Sequence, residues 1–420
     1  MSTAALFERP AMLTLDEALA RLADGARNAA IAETDSVSTF EALGRVLAQD
    51  VAALVDVPPA DNSAMDGYAL RAADVGAAGT VLPVSQRIAA GTVGALLQPG
   101  TAARIFTGAA IPPGADAVVM QEQCTAIDGT VRIDTVPAPG QNLRRRGEDV
   151  RAGAVVLLRG TRLTPPALGL AAAIGHGRVT VLRRPRVALF STGDELVMPD
   201  ETRPEQMKPG AIYNSNRFLL RGLLQAAGCE VTDLGIVPDQ LEATREALRQ
   251  AALGHDLIVT SGGVSVGEED HLKPAVQAEG RLNLWQIAIK PGKPLAFGEV
   301  RRAAGGTALF LGLPGNPVSS FVTFLLAGRT VLRGLQGMDT ALPQALPLRA
   351  DFSLSKPDPK RREFIRVRLN DTGGLDLFTN QGSGVLTSAV WADGLVDLEP
   401  GTVVEAGDIV SYLPLSQLLA

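Results

Sequence analysis

The sequence predicts a multi-domain protein of the α/β and β classes, centred on a doubly wound, mostly parallel α/β sheet domain. From about residue 180 to 330, strand-length apolar runs alternate with helical runs, the pattern of a parallel sheet covered on both faces. From 51 to 140 the texture changes to short Val/Ile/Leu/Ala runs punctuated by glycine and proline, which makes a β-rich second domain. The 44 glycines and 27 prolines among 420 residues turn the chain more often than an average globular sequence does. The expected division is 1–50 with 141–180 (a discontinuous N-terminal helical or extended domain), 51–140 (β-rich), 181–332 (α/β) and 333–420 (small C-terminal β domain).

In chain order, Leu15, Ala18, Leu19, Leu22 and Ala26 recur at helical spacing over 13–30. Thr14 stands as N-cap ahead of Asp16 and Glu17, and Gly25 weakens the last turn. Residues 39–48 predict a second helix. VLPVSQRIAAG, ARIFTGAAIPPGADAVVMQEQ and VRIDTV read as strands, and GQNLRRRGEDVRAG (140–153) as a polar hinge back to the N-terminal part. TPPALGLAAAIG predicts a helix opening after Pro165 and Pro166. Strands follow at 187–191, 230–234, 257–260 and 309–313, with helices at 215–227, closed by Gly228, and at 240–253. Asp239 heads the latter, with Glu242 three residues on in a capping-box arrangement. Beyond 335, PLRADFSL, REFIRVRLN and GLDLFTN return to short strands.

Composition narrows the chemistry. Hydrophobic residues at 46%, charged residues at 20% and a mean hydropathy of +0.15 describe a chain that buries sizeable cores. With 39 basic against 45 acidic residues, the net charge of −6 lacks the basic excess of a nucleic-acid binder. Cys124 and Cys229 form no CxxC pair, and His176, His255 and His271 are scattered. These argue against a disulfide framework and against zinc, haem or iron–sulfur held by the chain's own thiols and imidazoles. Glu8 and Arg9 interrupt the N-terminal apolar run, and no apolar run reaches the ~18 residues of a membrane span. The expectation is a cytoplasmic protein with no membrane or nucleic-acid partner.

Three expected strands run into polar, glycine-containing loops: FSTGDEL (190–196), VTSGGVSVGEEDH (259–271) and LGLPGNPVSS (311–320). In a parallel sheet their carboxyl ends share one edge, so the loops should converge. Ser261, Gly262, Gly263, Ser265 and Gly267 let backbone N–H groups approach an anion, but no GK[ST] follows, so the loop is not read as an ATPase P-loop. Asn316 as N-cap and Pro317 at the first helical position, after Pro314 and Gly315, present a helix start to an anion. IAIKPGKPLAFG sets Lys290 and Lys293 on a stiffened turn suited to phosphate or an oxyanion. Asp194, Glu195 and Asp270 could hold a hard divalent cation such as Mg²⁺, whereas capping alone accounts for Asp239. Taken singly, a flexible turn, a helix cap and a solvated lysine pair explain these segments as well. In PPADNSAMDGYAL, Asx-turns account for Asp61, Asn62, Ser63 and Asp66, though not for so many polar groups around Met65 and Tyr68.

DNSAMDGYAL, IFTGAAIPPGADAVVMQE, RRRGEDV, FSTGDEL, IYNSN, VTSGGVSVGEEDHLK, IAIKPGKPLAFG and GLPGNPVSSFVTF, in this order, closely resemble the MoeA-like molybdopterin molybdenumtransferases over about residues 10–330 and more loosely beyond. The resemblance implies a Mg²⁺-dependent enzyme that takes adenylylated molybdopterin and molybdate, cleaves the pyrophosphate linkage, releases AMP and leaves molybdenum on the dithiolene. The substrate would then supply the sulfurs that the chain lacks. It further implies an elongated homodimer in which the β-rich domain of one subunit completes a site of the other. Molybdopterin adenylyltransferase and molybdoenzyme-maturation proteins would be its partners. Carried over residue by residue, the catalytic positions are Asp61, Thr107, Asp149, Glu195, Asp239, Asp270, Lys290 and Lys293. Ser261, Gly262, Gly263, Ser265, Pro314, Gly315, Asn316 and Pro317 would bind the cofactor. Glu195 and Asp270 are assigned to Mg²⁺ or its water shell, the two lysines to phosphate or molybdate, and the N–H groups of Gly262, Gly263 and Asn316 to the pterin phosphate or AMP. Attack at phosphorus assisted by such clamping needs no protein nucleophile. Arg361, Arg362, Arg366, Arg368, Ser383 and Ser388 either approach a partner-chain site or face solvent. Rival readings are a tungsten-inserting paralogue, a molybdopterin adenylyltransferase and a dimeric scaffold. The DNSAMDGY module and the β-rich C-terminus argue against the adenylyltransferase.

Overall fold

A computed structural model describes residues 12–264 and 271–419. The chain forms two compact units, one of Met1–Thr34 with Leu182–Ala420 and one of Asp35–Val181.

Helix Leu15–Asn28 opens with a complete capping box between Thr14 and Glu17. Its buried stripe of Leu15, Ala18, Leu22 and Ala26 enters the core of the first unit. It therefore packs with the α/β part, whereas the sequence reading grouped residues 1–50 with 141–180. Gly25 sits mid-helix because a Cβ there would lie 2.8 Å from the Phe297 ring.

The sheet that this helix joins has six strands, in the order Glu230–Val237, Arg186–Thr192, Leu257–Ser261, Thr307–Leu313, Pro294–Arg301, Gly280–Gln286. The first four are parallel; Pro294–Arg301 runs against them, and Gly280–Gln286 pairs antiparallel to Pro294–Arg301. Side-chain alternation along a strand sorts the two faces. Val187, Leu189, Val259, Leu309 and Leu311 pack with Leu220 and Leu224 and with the helix from Pro317. Ala188, Phe190, Ile258 and Phe310 pack with Leu248 and Ala251 and with the helix Leu272–Glu279. Both faces are thus covered, as expected.

Two expectations need correction here. The helix expected to be headed by Asp239 spans Leu241–Gly254, so the N-cap position falls on Gln240, one residue later, and carries no side-chain cap bond. Helix Pro317–Leu335 is, with a window of mean hydropathy 1.2, long and apolar enough to cross a membrane, contrary to the expectation that no segment was. Its window is 89% buried inside the fold, which makes it the core helix of this unit.

The remainder of this unit is a second six-stranded sheet. Its main path runs Ile289–Lys290, Arg362–Leu369, Gly394–Leu398, Ile409–Pro414 and Leu346–Arg349, and Leu375–Leu377 pairs with Arg362–Leu369. The lysine turn thereby becomes an edge of the C-terminal sheet, with Lys290 in register with Glu363.

In the unit Asp35–Val181, six strands run in the order Ala117–Met120, Gly67–Leu70, Ala102–Ile105, Thr80–Ile88, Thr130–Ile133, Cys124–Ile127. Helix Pro165–Ala173 starts with proline in its first turn, as expected. The helix expected at 39–48 is only a 3₁₀ turn, Thr39–Glu41. Gly44 at φ +72° breaks it, and Val46 and Leu47 instead form β-bridges to Arg162 and Val181.

Candidate functional site

The strands Arg186–Thr192, Leu257–Ser261 and Thr307–Leu313 lie side by side, with Ser191 in register with Ser261 and Ser261 with Leu313. Their loops converge at the carboxyl edge. The sheet also reverses its order here, because the chain leaves Arg186–Thr192 for one neighbour and later returns to the other, which is where open α/β sheets open a crevice. A cleft of about 460 Å³ occupies that position, lined by Thr192, Gly193, Glu195, Asn214, Asn216, Asp239, Ser261 to Val264, Pro294 and Pro314 to Pro317.

Glycine sets how closely the loops approach. Gly262 has φ +87°, and a Cβ there would lie 2.6 Å from Thr192 O. Gly263 has φ +63°, and its Cβ would lie 2.8 Å from Thr192 Oγ1. A Cβ on Gly315 would meet Gly262 Cα at 3.8 Å, so the second and third loops touch through backbone alone.

Two asparagines of the IYNSN segment, not singled out from sequence, join the wall. Asn214 caps helix Ser215–Ala226 through Oδ1, and Asn216 Nδ2 donates to Gly315 O at 2.7 Å. Asn214 Nδ2, Asn216 Oδ1 and Thr192 Oγ1 are buried yet have no hydrogen-bond partner. Buried polar groups are almost always paired in folded proteins, so three orphans lining one cleft mark it as shaped for a polar ligand. The asparagines were legible only as a helix cap.

The expected residues fare differently. Glu195, Asp239, Pro314, Gly315, Asn316 and Pro317 all line the cleft. Asn316 holds the N-cap position, but its side chain makes no cap bond and Ser320 Oγ donates to Pro314 O. The Gly262 N–H donates to Leu313 O at 3.1 Å, so it is not available to an anion as expected. The Gly263 and Asn316 N–H groups make no backbone hydrogen bond among the described residues. Ser261 lines the cleft, and its hydroxyl lies 3.4 Å from that of Ser191. Lys290 Nζ pairs with Glu363 Oε1 at 2.8 Å, so its charge is already met, while Lys293 makes no ion pair among the described residues. Ser265 and Asp270 lie outside the described residues.

Asp61, Thr107 and Asp149 belong to the other unit. Asp61 accepts from Arg145 Nη1 and Arg146 N, both at 2.8 Å. Thr107 donates to Asp66 Oδ1 through N and Oγ1, and the Asp149 N–H bonds to Val57 O at 3.0 Å. Among the C-terminal arginines, Arg361 pairs with Asp358, Arg362 with Asp397, and Arg368 lies near Asp393. Arg366 is 1% exposed and binds only neutral oxygens, those of Ser388, Phe364 and Gly382. Burial pulls its pKa down to about 10. The loop that it braces places Ser383 O on the Val318 N–H at the start of the cleft helix, at 3.0 Å.

Among the described residues, no three His, Cys, Asp or Glu side chains form a preformed metal cage. The cleft instead offers the carboxylates of Glu195 and Asp239. An all-oxygen pair suits Mg²⁺, which takes one or two carboxylates and completes its shell with phosphate oxygens and water.

Comparison with known proteins covers nearly the whole chain. Residues 13–175 match the family described as MoeA N-terminal region (domain I and II), residues 188–334 a "Probable molybdopterin binding domain", and residues 347–415 the MoeA C-terminal region (domain IV). The chain is 39% identical over 415 residues to a molybdopterin molybdenumtransferase of Haemophilus influenzae, covering 97% of this chain and 100% of that one. It is 37% identical over 395 residues to one of Nostoc sp., covering 91% and 89%. The crystal structure of the molybdopterin biosynthesis moeA protein of Pyrococcus horikoshii is similar with a TM-score of 0.82 at 30% identity, over 96% of this chain and 99% of that one.

Proposed function

Because the chain belongs to the MoeA family of molybdopterin molybdenumtransferases, enzymes that insert molybdenum in cofactor biosynthesis, we propose that it uses the sheet-edge cleft to hold adenylylated molybdopterin. There it cleaves the pyrophosphate bond, releases AMP and leaves molybdenum on the dithiolene. The observation that carries this reading is the cleft wall itself: two tight glycine loops in backbone contact, facing three buried polar atoms without partners.

The Gly263 and Asn316 N–H groups hold a phosphate, where helix Pro317–Leu335 adds its positive end. Thr192, Asn214 and Asn216 hydrogen-bond the polar parts of the substrate and fix its orientation. Lys293 supplies a cation for molybdate or phosphate, and Lys290 is held in place by Glu363. Glu195 and Asp239 would hold Mg²⁺ directly or through water, with Asp270 as the further carboxylate that the family resemblance supplies. When bound, Mg²⁺ neutralises charge on the phosphate oxygens as the bond at phosphorus breaks. Water or an oxygen of molybdate attacks at phosphorus as the P–O bond to AMP breaks, so the protein needs no nucleophile of its own. The enzyme acts as a cytoplasmic homodimer, receives its substrate from molybdopterin adenylyltransferase and passes the product to molybdoenzyme-maturation proteins.

Glu195→Ala tests the assignment. The variant should still bind adenylylated molybdopterin but release AMP slower by on the order of a hundredfold, because transition-state stabilisation is lost and no core contact is. Normal turnover in this variant would remove Glu195 from the chemistry.

A further inference from the structure

On one face of the sheet in the Asp35–Val181 unit, Tyr68, Arg104 and Arg87 stand in a row across three strands. Tyr68 is the register partner of Arg104, and Arg104 is that of Arg87. Phe106 follows Arg104 by two residues and so returns to the same face. Its ring centroid lies 4.7 Å from the Arg104 guanidinium carbon and 4.6 Å from that of Arg87, and Arg104 is 5.3 Å from the Tyr68 ring.

Two like charges in register on neighbouring strands repel one another. Nothing among the described residues neutralises them by direct pairing. Arg104 donates to Gly67 O at 2.8 Å and to Gln121 Oε1 at 2.6 Å, both neutral. Arg87 is exposed and makes no ion pair among the described residues. The loop carboxylate Asp66 accepts from Thr107 and forms no ion pair with either arginine among the described residues, so it offsets the Arg104 charge only in part. The aromatic rings hold the guanidiniums in place but cannot discharge them.

We propose that Arg87 and Arg104, braced by Phe106 and Tyr68, form a phosphate-binding site carried by this unit's own residues. Arg87 presents its open donor fork to the phosphate, Arg104 adds charge beneath it, and the Arg87 guanidinium plane offers a stacking place for a ring attached to that phosphate. The shared chemistry is a phosphate dianion, either inorganic or that of a nucleotide.

Hydrogen exchange on the full-length protein, titrated with inorganic phosphate and separately with AMP, tests the site. Protection should appear in peptides covering 80–88 and 102–107. In Arg87→Gln the phosphate concentration required should rise roughly tenfold, as for loss of one charge-assisted contact. Arg87→Lys, which keeps the charge and loses the fork, should fall between them. Equal response to both probes assigns phosphate alone, and a tighter response to AMP assigns a nucleotide. Protection confined to the cleft loops at 261–264 and 314–317, or a titration unchanged in Arg87→Gln, would overturn the proposal and leave the stack as a mechanical brace.

Discussion

At the scale of single residues, the site is defined by groups that fold stability alone would not select. Leaving Thr192 Oγ1, Asn214 Nδ2 and Asn216 Oδ1 buried without partners costs about 1–3 kcal/mol each. Asn216→Ala removes one orphan together with the bond to Gly315 O, so substrate affinity should fall by roughly tenfold or more. Unchanged affinity would exclude Asn216 from recognition. Cys124 makes a contrast. Burial, reinforced by Asp134, pushes its thiol up to about 11, so at pH 8 it should alkylate far more slowly than an exposed cysteine. Sequence showed Glu195 as a carboxylate after a strand and Asp239 as one heading a helix, but it could not show that the N-cap falls on Gln240 or that Lys290 is tied to Glu363. Those depend on a one-residue helix boundary and on a pairing between residues 73 positions apart in a different sheet.

At the scale of elements, what was legible followed from periodicity, and what was missed followed from tertiary pairing. Three of the four parallel strands were visible because buried strands read as continuous apolar runs, while the edge strand Glu230–Val237 is largely exposed or half-buried and showed only between its flanking helices. The 39–48 helix was not there to find, because Gly44 and the β-bridges of Val46 and Leu47 outcompeted a weak helical pattern. The loops carry the tightest constraints. Gly262→Ala would place a methyl group against Thr192 O at a positive φ, and should destabilise the protein by about 1–3 kcal/mol and abolish productive binding, as read by chemical denaturation and by substrate titration. Gly292→Ala should do the same to the lysine turn, since φ is +115° and the new Cβ would collide with Thr323 Oγ1. A stable Gly292→Ala variant with an unaltered molybdate requirement would detach that turn from anion binding.

At the scale of the whole molecule, each unit has its own apolar cores: among the described residues, three in the part that carries the cleft and three in Asp35–Val181. The latter should also respond to acid. Asp56 is held below the usual carboxylate range by the Ala152 N–H and then Arg146, Asp61 by the Arg146 N–H and then Arg145, and Asp66 by the Thr107 N–H and then its hydroxyl. The folded state therefore favours their ionised forms. Their stabilisation is present above the ordinary carboxylate pKa of about 4 and is lost as pH falls below it. Hydrogen exchange across 56–66 should accelerate over that window, and flat protection down to pH 3 would contradict the assignment. The sequence disclosed the family and the sheet edge, but not the polar lining that makes a site of that edge. The most direct test of the account is AMP release by the wild-type protein from adenylylated molybdopterin and Mg²⁺, followed with and without molybdate. Release that depends on molybdate, with molybdenum retained on the pterin, is the result expected of the cleft described above. Absence of AMP from the correctly folded protein would contradict it.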